Sequence, residues 1–106
     1  MKVSELVNLE GVTSVCLEKD REIERVFCCD LLSVAMARAP EGCAWVTVIG
    51  NANAVAVATL ADAACIVLAE GYEYDEAALN AARGRIPLLR SSRPVYETAA
   101  DIGKAL

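Results

Sequence analysis

The stretch from Cys43 to Gly71, CAWVTVIGNANAVAVATLADAACIVLAEG, limits the folds open to this chain more than any other. Trp45 to Ile49 and Cys65 to Ala69 are short apolar runs bounded by Gly50 and Gly71, the pattern of strands covered on both faces. Between them, Asn51 to Ala64 has the length a crossover helix needs to return the chain to a parallel strand. The unit reads as βαβ. It predicts a layered α/β domain with a mainly parallel sheet, to which the flanking segments add.

Those segments read in order as follows. Val3 to Asn8 predicts a short helix stopped near Gly11, and Val12 to Leu17 a strand. The polar turn Glu18 to Arg21 leads to a second strand, Arg25 to Cys29, which either pairs with the first as a hairpin or lies in a different sheet. Asp30 is placed to cap a helix from Leu31 to Ala39, and Pro40-Glu41-Gly42 ends it before the strand Ala44 to Ile49. Further on, Asp75 caps a helix from Glu76 to Arg83 closed by Gly84. Ile86 to Leu89 is the last strand, with Pro87 marking an edge or a strand start. A final helix runs from Pro94 to Ala105, with Val95, Ala99, Ile102 and Leu106 inward.

In the central helix, Val57, Leu60, Ala61 and Ala64 form a stripe assigned to the sheet. Asn51, Val55, Thr59 and Asp62 form an outer, more polar row. Additional alanines and valines widen the apolar surface beyond one stripe, and a helix apolar nearly all round is covered on more than one side. A second helix or a second subunit would supply that cover. The outer row Asn51, Val55, Thr59 and Asp62 is therefore the expected interface of a homodimer.

Composition narrows the function classes. The 106 residues suit one domain spanning 1–106. Net charge −5 argues against nucleic-acid or anionic-membrane partners, whose phosphates call for Lys and Arg. No secretory signal and no membrane-spanning run is read, so the expected location is cytoplasmic. There is no histidine, which removes zinc-finger and His-based catalytic schemes. The cysteines Cys16, Cys28, Cys29, Cys43 and Cys65 contain no C-x-x-C pair, and Cys28 and Cys29 on one strand point to opposite faces. They read as reduced, mostly buried thiols with no metal and no other cofactor.

Binding chemistry, where the residues allow it, gathers after the strands. Arg90-Ser91-Ser92-Arg93 precedes a helix whose free amides favour an anion, with Asn51 and Asn53 near by in the expected layer. The plainer reading is a serine cap and two solvated arginines, with Asn51 or Asn53 capping the central helix. Gly50-Asn51-Ala52-Asn53 lacks the second glycine and the Lys-Ser/Thr of a P-loop. Asp20, Asp30 and Asp62 are the carboxylates placed for acid–base work, yet each has an ordinary structural role, so no catalytic residue is assigned.

Asp20-Arg21-Glu22-Ile23-Glu24, Val26 and Asp30-Leu31-Leu32-Ser33 resemble the DRTGG domain. The resemblance continues through Pro40-Glu41-Gly42, Trp45-Val46-Thr47, the Asn53-Ala54-Val55-Ala56-Val57-Ala58 helix and Ile86-Pro87-Leu88-Leu89. It spans almost the whole chain. In the eponymous motif Asp20 and Arg21 match, whereas Glu22-Ile23-Glu24 stands in place of Thr-Gly-Gly, and the histidine that often precedes the central helix of stand-alone members is absent. The resemblance implies a fold similar to the N-terminal domains of HPr kinase/phosphorylase and the Mur ligases, without the P-loop domain that carries kinase activity. It implies a regulatory or accessory role, as beside nucleotide-sensing CBS domains, or in association with iron-only hydrogenases. The expectation is a non-catalytic domain acting by homodimerisation and protein-partner binding. Two alternatives stand beside it: a sensor of an adenine nucleotide or other anion at Arg90 to Arg93, and an iron–sulfur electron-transfer accessory protein.

Overall fold

In the computed structural model, which describes residues 1–17 and 19–106, apolar runs and glycine stops become alternating strands and helices. A 3₁₀ turn, Val3–Asn8, is followed by β1 (Val12–Cys16), β2 (Arg25–Cys28), α1 (Leu32–Arg38), β3 (Cys43–Thr47) and α2 (Ala52–Leu60). Then come β4 (Cys65–Leu68), α3 (Glu76–Ala82), β5 (Leu88–Ser91) and α4 (Val95–Ala105). The five strands form one sheet in the order β1-β5-β4-β3-β2. The neighbours from β2 to β5 are parallel, and β1 joins β5 antiparallel. The layered α/β fold with its mainly parallel sheet and central β3-α2-β4 unit is the one the sequence predicts.

Strand alternation divides the core into two faces. Cys43, Trp45, Ile66, Leu68 and Leu88 pack under α1, α2 and α3. Ala44, Val46, Cys65, Val67 and Leu89 pack under α4 and the 3₁₀ turn. The parallel strands are laid down side by side in chain order, and right-handed crossovers that all advance in one direction put all three helices on one face. The strand order therefore never reverses among the parallel strands, and the crevice where such sheets usually bind ligands is not formed.

Several local expectations change. The strands β1 and β2 are neither a hairpin nor in separate sheets: they are the opposite edges of one sheet. Of the polar turn between them, Glu18 lies outside the described residues. Asp30 does not cap α1. Its carboxylate instead accepts bonds from Thr47 Oγ1 at 2.9 Å and Val48 N at 3.0 Å, tying the end of β2 to the end of β3. Of the two places expected for Pro87, the strand start holds and the edge does not: it immediately precedes β5, which is flanked by β1 and β4. In α4 the buried residues are Thr98 and Ile102, with Val95 and Ala99 against the core, whereas Leu106 is exposed.

The central helix is shorter than its apolar run and rotated from the expected stripe. Asn51 caps it, accepting from Ala54 N at 3.0 Å, and it ends at Leu60 with Asp62 in the left-handed conformation at φ 57°. Val55 is buried at 1% exposure, and Leu60, assigned to the sheet from sequence, is 78% exposed. The cause is the neighbouring layer. With α1 on one flank and α3 on the other, the helix buries Ala54, Val55, Val57 and Ala58 and leaves Asn53, Ala56, Thr59 and Leu60 outward.

Candidate functional site

At the C-terminal edge of the parallel strands, the residues expected to hold an anion are engaged by their own chain. Arg90 donates from Nε to Tyr72 O at 2.8 Å and from Nη2 to Gly71 O at 3.2 Å. Arg93 Nη1 meets Asp101 Oδ2 at 2.6 Å. Ser91 is buried and shares a 2.8 Å hydrogen bond with Thr98 Oγ1, while its Oγ accepts from Arg93 N. The first free amide of α4, Val95 N, donates to Glu70 Oε2 at 2.8 Å, so a carboxylate of the chain already occupies the place of an anion. Neither serine caps the helix, whose N-cap is Pro94; Ser92 is exposed and donates its backbone N–H to Gly11 O. Asn51 and Asn53 belong to α2 on the other face of the sheet, and β4 separates their loop from β5. The six residues are not brought together as one constellation.

The N-terminal edge is arranged differently. The turn after α2 sends Asp62 back towards the segment before β2, where Arg21 Nη1 meets Asp62 Oδ1 at 2.9 Å. Asp62 is fixed from its backbone as well: its carbonyl accepts from Gly42 N and its amide donates to Thr59 O. Arg21 holds the Asp62 carboxyl below its usual range. Beside this pair a hollow of about 140 Å³ opens, lined by Lys19, Arg21, Thr59, Asp62, Arg85 and the Ile86-Pro87 wall. Among the described residues, no side chain pairs with the guanidinium of Arg85 or the ammonium of Lys19. Sequence reading put Lys19 in a polar turn and passed over Arg85. The signal was present as Arg83-Gly84-Arg85, two cations around a glycine ahead of a strand.

Segment 20–24, the part of the chain most like the DRTGG motif, has a structural task. Asp20 accepts from Ser4 N at 2.9 Å and Ser4 Oγ at 2.7 Å, which lowers its pKa, and Arg21 O accepts from Val3 N. Glu22 pairs with the Met1 amine at 2.9 Å, and Ile23 enters the core. Together they sew the N-terminal turn to the sheet.

The five thiols do not converge. Cys43 and Cys65 begin adjacent strands but belong to opposite faces of the core, Cys28 and Cys29 lie at the other end of β2, and Cys16 ends the edge strand β1. Burial pushes the Cys43 thiol up to about 11 and the Cys65 thiol higher still, the opposite of what a thiolate ligand needs. Among the described residues no three Cys, Asp or Glu side chains are grouped to hold a metal ion. One chain therefore offers no cradle for an iron–sulfur cluster. Also among the described residues, no helix is long and apolar enough to cross a membrane.

A comparison with protein-family models finds no match, and a comparison with curated proteins finds none either.

Proposed function

We propose that this chain is a non-catalytic binding domain that works by self-association, with the outer surface of the α1–α3 layer as its interface. The observation that carries the reading is Leu60. It is 78% exposed on the rim of an apolar groove of about 240 Å³ between α2 and α3, lined by Ala56, Thr59, Ala81 and Arg85. A leucine beside a groove able to receive a leucine is self-complementary, which is what a two-fold contact requires of one surface. Leu31 and Met36, each 60% exposed, extend the apolar character of the same layer along α1. The resemblance to DRTGG domains supports an accessory or regulatory role of this kind.

The interface differs from the row expected from sequence. Thr59 and the outward residues around it belong to it, whereas Val55 is core and Asp62 is tied to Arg21. Sedimentation velocity at micromolar concentration tests the reading. The native chain is expected as a dimer, and Leu60→Glu as a folded monomer whose urea midpoint no longer varies with protein concentration. A native monomer, or a Leu60→Glu dimer, overturns it. Val55→Glu does not serve, because a carboxylate there is buried without a partner and unfolds the chain.

A further inference from the structure

We infer that the hollow at the N-terminal ends of the parallel strands binds a compact oxyanion of the phosphate class. The hollow shares Thr59 and Arg85 with the groove of the proposed self-association surface, so a bound anion and a second copy compete for those side chains.

Charge is the first ground. The chain as a whole carries −5, yet among the described residues this hollow is lined by the three cations Lys19, Arg21 and Arg85 against the carboxylate of Asp62, with Glu41 beside Asp62 as the second acidic group. Convergence is the second. A lone loop arginine is simply solvated, but here two cations with no described partner face the same small volume as a third whose position is fixed. Size is the third. About 140 Å³ is well above the ~10–15 Å³ that one water needs, so there is room for a tetrahedral anion in place of several waters.

Preorganisation is the fourth ground and separates this hollow from a flexible basic surface. Asp62 sits at φ 57° just past the end of α2, a position where glycine or asparagine is usual. An aspartate there is sterically less favourable than a glycine, and its carboxylate orients Arg21 by the 2.9 Å bond. Only Nη1 of Arg21 is used in this way, which leaves its other N–H groups for a ligand. Arg85 offers a full guanidinium fork, suited to two oxygens of one phosphate at once. Thr59 Oγ1 lines the hollow and donates to Val55 O, so its lone pairs are left to accept a hydrogen bond from the P–OH of a monohydrogen phosphate. The opposite edge makes the contrast: there Arg90 and Arg93 are already held by carbonyl and carboxylate oxygens.

The test is an amide NMR titration of the native chain with inorganic phosphate at constant ionic strength, with chloride as control. The expected result is saturable shifts at residues 19–21, 59–63 and 85–86, with Kd of about 1–10 mM. Arg85→Gln is expected to weaken binding at least about tenfold, the loss of one strong charge-assisted contact, and Arg90→Gln to leave it unchanged. Phenyl phosphate distinguishes the two sources of the group. Tighter binding than phosphate identifies a phosphorylated small molecule whose body enters the groove beside Leu60, and equal binding identifies the free ion. Shifts that never saturate, that chloride reproduces, or that survive in a folded Arg85→Gln chain overturn the site.

Discussion

The two edges of the sheet use the same residue types to opposite ends. At the C-terminal edge, Asp30, Glu70, Arg90 and Arg93 each bind another part of the chain, so the loops after the strands are laced to one another and to α4. At the N-terminal edge Arg21 and Asp62 pair, and Arg85 and Lys19 have no side-chain partner among the described residues. Parallel sheets ordinarily keep their ligand chemistry at the C-terminal edge. Here the unidirectional strand order provides no switch-point crevice; an open hollow of about 480 Å³ does run beside Arg90, Ser91 and Ser92 at the start of β1, but the guanidinium of Arg90 there, like that of Arg93, is held within the chain. The cations with no side-chain partner among the described residues lie at the other edge. A charged residue reports a binding site only after its internal partners have been counted.

The sharpest way to probe the comparison is thiol labelling, because each edge carries its own cysteines. Cys28, exposed at the C-terminal end of β2, is expected to react with iodoacetamide well before the buried thiols, even though partial burial and the Asp30 carboxylate raise its pKa. Cys43 and Cys65, buried at the N-terminal ends of β3 and β4, are expected to lag by about a thousandfold or more. Their thiolates are suppressed by burial, and reaction needs cooperative opening. Mass spectrometry of timed samples reads the order. Equal rates at Cys28 and Cys43 would mean that the N-terminal edge opens on its own.

Next in size is the stability of the two sets of arginines. Arg93 and Asp101 are both about one-quarter exposed and 2.6 Å apart, so Arg93→Ala is expected to cost about 1.5–3 kcal/mol in urea denaturation. The longer contact of Arg93 to exposed Glu10 at 3.8 Å adds little. Arg85→Ala is expected within about 0.5 kcal/mol of the native chain, since no described side chain depends on it. If Arg85 costs as much as Arg93, the distinction between a laced edge and a free one fails.

The smallest effect is acid sensitivity at the N-terminal edge. Arg21 lowers the Asp62 pKa from an ordinary value of 3.8, so the pair stabilises the fold above that value and is lost as pH falls through the lower folded value. Asp62→Asn is therefore expected to be less stable than the native chain at pH 6, with the gap starting to close as pH falls past 3.8 and vanishing only below the lowered folded value. With the Asp62 side chain 59% exposed, solvent screening holds the difference below about 1 kcal/mol, and salt should shrink it further. A gap that persists to lower pH would mean that Asp62 acts through its backbone conformation and not through its charge.

Much of the architecture was legible in the chain because it follows from local periodicity. Continuous apolar runs such as Cys65–Leu68 read as doubly covered strands. Asp75 capping α3 through Ala78 N, and Asn51 capping α2, were set by residue type and neighbouring amides. Strand order was not legible, since β1 pairs with β5 across more than seventy residues and no local pattern encodes that choice. Nor was the facing of α2: with valine, alanine and leucine all round it, the helix has no dominant apolar side, and only α1 and α3 decide that Val55 goes in and Leu60 out. The fates of the charged residues were decided at the same level. Asp30 looks like a cap in sequence and bridges two strands in space, because the end of β3 brings it a hydroxyl and an amide at 2.9 and 3.0 Å. Arg90 and Arg93 look free and are not, while Arg85 has no side-chain partner among the described residues. Sequence determines what a side chain can donate or accept; only the packed fold determines which partners arrive to take it.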